Sequence, residues 1–64
     1  MLSGKIKVWN QDSGWGFIES DNGEDYFLNV KNVRAGQQIR VGAQVKFDTE
    51  ESQRGPQATN VTLY

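Results

Sequence analysis

SGWGFIESDNGEDYFLNV, residues Ser13 to Val30, reads as a β-hairpin. Successive side chains of a strand point to opposite faces. Trp15, Phe17 and Glu19 therefore share one face of the first strand, and Gly16 and Ile18 the other. On the second strand Tyr26 and Leu28 point one way, Phe27 and Asn29 the other. Ser20-Asp21-Asn22-Gly23 carries the turn chemistry between them. Ile18, Tyr26 and Leu28 form the natural core set, which leaves Trp15, Phe17 and Phe27 on the face that meets water. Aromatics gathered on the polar side of a hairpin mark a contact surface. Gly14 and Gly16 bracket Trp15 and are expected to keep the surface around it low.

Working outward, Lys5 to Asn10 alternates as a first strand. Strict alternation puts Ile6 and Val8 inside and Lys5, Lys7 and Trp9 outside, although Trp9 is large enough to sit at the core margin. Gln11 to Gly14 is a turn. The stretch from Val30 to Arg40 lacks β alternation; Val33 is placed to plug one end of a barrel from a short 3₁₀ turn, with Ile39 and Val41 bringing the chain back. Ala43 to Glu50 alternates again, with Val45 and Phe47 inward and Gln44, Lys46 and Asp48 outward. Gln57 to Leu63 is the last strand, with Val61 and Leu63 inward, and Pro56 lies at its start, where a missing N–H is tolerated. Short strands punctuated by Gly, Asn and Asp predict an all-β fold, and closure into a barrel removes exposed edges. One domain over residues 1–64 is expected, of marginal stability, because a chain this short buries only about 60% of its surface.

Composition narrows the function. The chain has no Cys and no His, so disulfides and Cys/His zinc sites are excluded. No run approaches the ~18 apolar residues of a membrane span, and the N-terminus lacks a signal-peptide core; a cytoplasmic protein is the expectation. Seven basic and eight acidic side chains give a net charge of -1, so any polyanion contact depends on local distribution of charge. Asp21, Glu24 and Asp25 do not follow calcium-loop spacing and read as turn formers; no metal or cofactor is expected. Carboxylates in turns and no His or Cys base leave nothing to build an enzyme on.

Aromatic rings held outward on rigid strands offer π-faces to nucleobases, each stack being worth about 1–3 kcal/mol. Trp15, Phe17 and Phe27 would form adjacent platforms, Trp9 can extend the row, and Lys5 and Lys7 are candidates for phosphate contact. The competing reading is a protein-binding or self-association surface made by the same aromatics, in a structural or interaction barrel; a monomer is the expectation.

The motifs resemble a known family. SGWGFI (Ser13 to Ile18) is similar to the first ribonucleoprotein motif of cold-shock domains, K-G-[FY]-G-F-I, and YFLNV (Tyr26 to Val30) to the second, V-F-V-H-F. GKIKVWN (Gly4 to Asn10) resembles G-x-V-K-W-F-N, and RGPQATNV (Arg54 to Val61) resembles R-G-P-Q-A-x-N-V. The resemblance covers nearly the whole chain in order and spacing. It implies a five-stranded antiparallel barrel of the oligonucleotide-binding (OB) type that binds single-stranded RNA or DNA, with RNA-chaperone activity in many members. Lys7, Trp9, Trp15, Phe17 and Phe27 match the family's ligand-face residues in type. Val8 stands where the family has a stacking Trp, Asn29 in place of a His, Val30 in place of a Phe, and Ser13 in place of a basic residue. The connection from Lys31 to Val41 is short and lacks the family's loop aromatic, carrying Arg34 and Arg40 instead. These departures imply a shorter row of stacked bases and a divergent site spanning Lys7, Val8, Trp9, Trp15, Phe17, Phe27, Asn29 and Val30.

Overall fold

A computed structural model describes all 64 residues. Five strands, β1 (Leu2–Asn10), β2 (Trp15–Ser20), β3 (Asp25–Asn29), β4 (Gln44–Ser52) and β5 (Gly55–Leu63), close into a barrel in the order β1-β2-β3-β5-β4. Neighbours are antiparallel except at the β3–β5 closure, a parallel pairing reduced to Phe27 opposite Gln57. Val33 follows the 3₁₀ turn Val30–Asn32 instead of lying within it; it bridges to Val61, continuing that closure, and packs half-buried against the core.

The β2–β3 hairpin has the expected register, from Trp15 opposite Asn29 to Glu19 opposite Asp25. Its turn is held by Gly23, at φ +90°, whose N–H donates to the Ser20 carbonyl at 2.9 Å. The Asn22 side-chain oxygen accepts from the Glu24 N–H at 2.9 Å, the local Asx bond that makes Asn favourable in turns. Ile6, Ile18, Tyr26, Leu28, Ile39, Val45, Phe47, Ala58 and Val61 fill the interior, while Val41 stays on the surface.

The first strand departs from strict alternation. Ile6 pairs with Ile18 and Val8 with Phe17, so Lys7 is an extra residue, a β-bulge. One inserted residue reverses the facing of everything after it. Val8, expected inside, is therefore 41% exposed beside Phe17, and Trp9, expected outside, packs its ring against the core. The same device acts on β5. Phe47 opposes two residues, Asn60 and Val61, and Asn60 adopts φ 51°, the left-handed conformation that Asn tolerates. Ala58 and Val61 consequently both face inward, a placement that alternation back from Val61 does not predict.

Gly16 has a different role from the one its position suggests. It is buried and faces β1 at the bulge, where an added Cβ would overlap the Val8 carbonyl oxygen and lie 2.9 Å from the Val8 carbonyl carbon and 3.0 Å from Trp9 Cα. It permits strand contact on the inner face and does not shape the surface around Trp15.

Candidate nucleic-acid interface

The outward face of the hairpin carries Trp15, Phe17 and Phe27 as one cluster. Phe17 lies directly across from Phe27 in the β2–β3 ladder, and Trp15 is two residues from Phe17 on the same face. The rings meet edge-to-face for Phe17 against Trp15 (centroids 6.2 Å) and against Phe27 (5.8 Å), while Trp15 and Phe27 are nearly parallel, 20° apart at 6.4 Å. These are favourable aromatic geometries, so the three rings are already packed on one another without a ligand.

The three rings are not equally open. Trp15 is 37% exposed, Phe17 is half-buried, and Phe27 is only 9% exposed. The Arg54 guanidinium, from the turn between β4 and β5, sits over the Phe27 ring at 5.0 Å from its centroid, a cation–π arrangement. Trp15, Phe17, Phe27 and Arg54 together line a shallow pocket of about 270 Å³. The expectation that Phe27 meets water is thus corrected: it is on the outward face but covered. Arg54 lies in the quoted RGPQATNV motif, but nothing local in the sequence places it on Phe27; the barrel closure does.

Lys7 projects outward from the bulge, but its ammonium donates to Asp25 Oδ2 at 2.9 Å across the face. That hydrogen bond, then the Asp25 charge, raises the Lys7 pKa above its ordinary value. Lys7 is therefore a paired cation in the free protein, and a phosphate has to compete with Asp25 for it. Lys5 is exposed on the same strand, before the bulge.

Asn29 and Val30 close the row. The Asn29 side-chain oxygen accepts from the Lys31 N–H at 3.1 Å and caps the 3₁₀ turn. Its carbonyl end is thereby committed to the backbone, and Asn29 lies beside a polar pocket that also includes Lys31, Arg54 and Gln57. Lys31 and Arg54 are thus the cations next to the aromatic cluster, and sequence alternation singled out neither. Val30 is 53% exposed, held by its N–H bond to the Gly14 carbonyl at 2.8 Å. Val8 and Val30 are small apolar surfaces flanking the aromatics. Trp9 does not extend the row: its ring packs inward, and its indole N–H donates to Gln11 Oε1 at 2.9 Å. No group of His, Cys, Asp and Glu is placed to hold a metal, and no helix is long and apolar enough to cross a membrane.

Residues 2–64 match the family model described as the "'Cold-shock' DNA-binding domain". The chain is 41% identical over 64 residues to the major cold shock protein of Streptococcus pyogenes, covering 97% of this chain and 96% of that one. It is 40% identical over 63 residues to cold shock protein 1 of Lactiplantibacillus plantarum, covering 95% and 96%. In structure it is similar to drosophila Unr (CSD456), with a TM-score of 0.80 at 18% identity, over 98% of this chain and 26% of that longer one. The structural match at this identity speaks for the barrel alone, while the family model and the relatives span the whole barrel, including the β2–β3 hairpin and the RGPQATNV end. The chain is a member of the cold-shock domain family.

Proposed function

We infer that this chain binds single-stranded nucleic acid, RNA or DNA, by stacking bases on the face built from Trp15, Phe17 and Phe27. The observation that carries the reading is the preassembled aromatic cluster, with ring centroids 5.8–6.4 Å apart on the solvent side of a rigid hairpin. Membership of a nucleic-acid-binding family supports it. In a duplex the faces of the bases are already occupied by their neighbours, so a stacking platform selects unpaired strands. The mechanism involves no chemistry. One base stacks on the open side of Trp15, the next packs against Phe17, and occupancy of Phe27 requires the Arg54 guanidinium to swing outward. Arg54, Lys31 and, once released from Asp25, Lys7 meet the phosphates, while Val8, Asn29 and Val30 bound the row. A strand held this way cannot pair, which is the physical content of an RNA-chaperone role. The unit of action is the whole 1–64 barrel as a cytoplasmic monomer.

The test is a titration of tryptophan emission with oligothymidylate, a mixed single strand and the corresponding duplex at low salt. Quenching by the single strands, with weak response to the duplex, is expected. Unchanged emission together with no complex by sedimentation overturns the reading.

A further inference from the structure

Beyond Val30 the surface changes character. A pocket of about 270 Å³ opens between the end of β1 and the loop at 37–40, with Trp9, Val33 and Ile39 as its apolar base and Gln11, Gln37 and Arg40 among its polar lining. Val30 also lines it, so it adjoins the aromatic face.

Two internal hydrogen bonds decide what its rim presents. Gln11 Oε1 accepts from the Trp9 indole N–H at 2.9 Å, and Gln37 Oε1 accepts from the Leu63 backbone N–H at 2.7 Å. An indole N–H and a peptide N–H can only donate, so in both amides it is the oxygen that is engaged, in an exposed bond for Gln11 and a part-buried one for Gln37. Each keeps its NH₂ as a donor free of those two bonds. Arg40, exposed and without an ion-pair partner, adds a planar fork of donors and no acceptor. Gln38, exposed on the same rim, can turn either end of its amide to a ligand, so with the two NH₂ groups and Arg40 the fixed groups of the rim are donors. Adjacent acceptors on a flat ring are its complement, and among base edges guanine O6 and N7 form such a pair, the edge that Arg meets bidentately. Adenine keeps N7 but replaces O6 with an amino donor, which would face the donors of the rim.

We propose that this pocket is a base-reading subsite that takes one guanine through its O6/N7 edge, at the end of the strand stacked on Trp15 and Phe17. The subsite rests on the single-strand binding proposed above and adds to it a sequence preference that stacking alone does not supply. Where the hairpin runs out of aromatic rings, hydrogen-bond readout takes over from stacking.

The test uses the whole chain and oligothymidylates carrying one guanine, one adenine or one 7-deazaguanine at either end. Guanine at one of the two ends should bind about tenfold more tightly than adenine there, with 7-deazaguanine falling between them. The Trp9 indole N–H resonance, distinct from that of Trp15, should shift with guanine and stay close to its oligothymidylate position with adenine. Arg40→Lys keeps the charge but not the fork, and should remove most of the guanine preference while leaving oligothymidylate affinity within about twofold. Gln11→Leu should reduce the preference in the same direction. Equal affinity for guanine and adenine at both ends, with oligothymidylate still bound, overturns the subsite and leaves the stacking face intact. Failure of oligothymidylate itself to bind removes both readings together.

Discussion

Replacement of Gly16 by Ala separates two accounts of the residue between Trp15 and Phe17. If Gly16 merely kept the surface open for a base, Ala would weaken binding and leave stability unchanged. The structure puts the new methyl on the inner side, overlapping the Val8 carbonyl oxygen, 2.9 Å from the Val8 carbonyl carbon and 3.0 Å from Trp9 Cα. All three neighbours are backbone atoms at the β-bulge, so no side chain can rotate away. Relief requires β1 and β2 to separate where Trp9 opposes Gly16. Overpacking a well-fitted site costs about 1–3 kcal/mol, and rigid backbone puts this substitution at the upper end, about 3 kcal/mol. A chain of 64 residues has a total stability of about 3–10 kcal/mol on the usual per-residue scale, so one methyl removes a large share of it. In a domain of this size about 3 kcal/mol lowers Tm by about 12–24 °C. Gly23→Ala is the control: nothing lies within 4 Å of its added Cβ, so only its φ of +90° is penalised, at about 1–2 kcal/mol. Urea unfolding followed by far-UV circular dichroism measures both variants. A Gly16→Ala midpoint equal to that of the parent protein, or no lower than that of Gly23→Ala, refutes the close-approach argument.

Phe17→Ala should weaken oligothymidylate binding by about 1–3 kcal/mol with a smaller effect on stability, since Phe17 is half-buried and outside the core; unchanged affinity by fluorescence titration would remove Phe17 from the platform. Val8→Trp should tighten binding by a similar amount, because the bulge already turns this 41% exposed position onto the aromatic face; an inward-facing Val8 would instead make the variant unstable, which thermal unfolding reports. Asp25→Asn removes the competitor for Lys7 and should tighten oligothymidylate binding at low salt, while Lys7→Gln should make the slope of log K against log[salt] shallower by about 0.7, one phosphate's share for a single strand; a parental slope in Lys7→Gln would leave Lys7 without a phosphate. The same pair sets a pH dependence. Lys7 has a raised pKa in the folded state, so its contribution to stability is complete below the unfolded value of about 10.4 and is lost as pH rises through the higher folded value. The stability difference between the parent protein and Asp25→Asn should therefore hold through neutral pH and shrink in the alkaline range; a difference that shrinks on acidification from neutrality towards pH ~6 contradicts the assignment.

The motif resemblance and the physical reading of the hairpin point to the same rings, but the proposed ligand face of this chain has its own composition. Aromatic surface is concentrated on Trp15 and Phe17, Phe27 is held under Arg54, and the flanks are aliphatic or amide-bearing. Nucleic acid bound here would meet fewer platforms and more hydrogen-bond donors, a change of chemistry at constant fold. The core tolerates this because each altered position lies on the outer side of the barrel or in the connecting loop.

Local sequence determined the hairpin: the turn follows from the chemistry of Asn22 and Gly23, and the inward set Ile18, Tyr26 and Leu28 and the inward pair Val45 and Phe47 follow from a period of two that neighbouring residues carry themselves. The outward placement of Trp15 and Phe17 follows from the same period. The facing of Val8 and Trp9 did not, nor the burial of Ala58, because a bulge inverts parity and its position answers to the twist and closure of the whole barrel. Tertiary structure likewise decided that Arg54 covers Phe27, that Asp25 holds Lys7, and that Gln11, Gln37 and Arg40 meet at one pocket. Each of these joins residues distant in the chain: the β1–β2–β3 meander brings Lys7 to Asp25, and closing β5 against β3 and β1 against β4 assembles the other two.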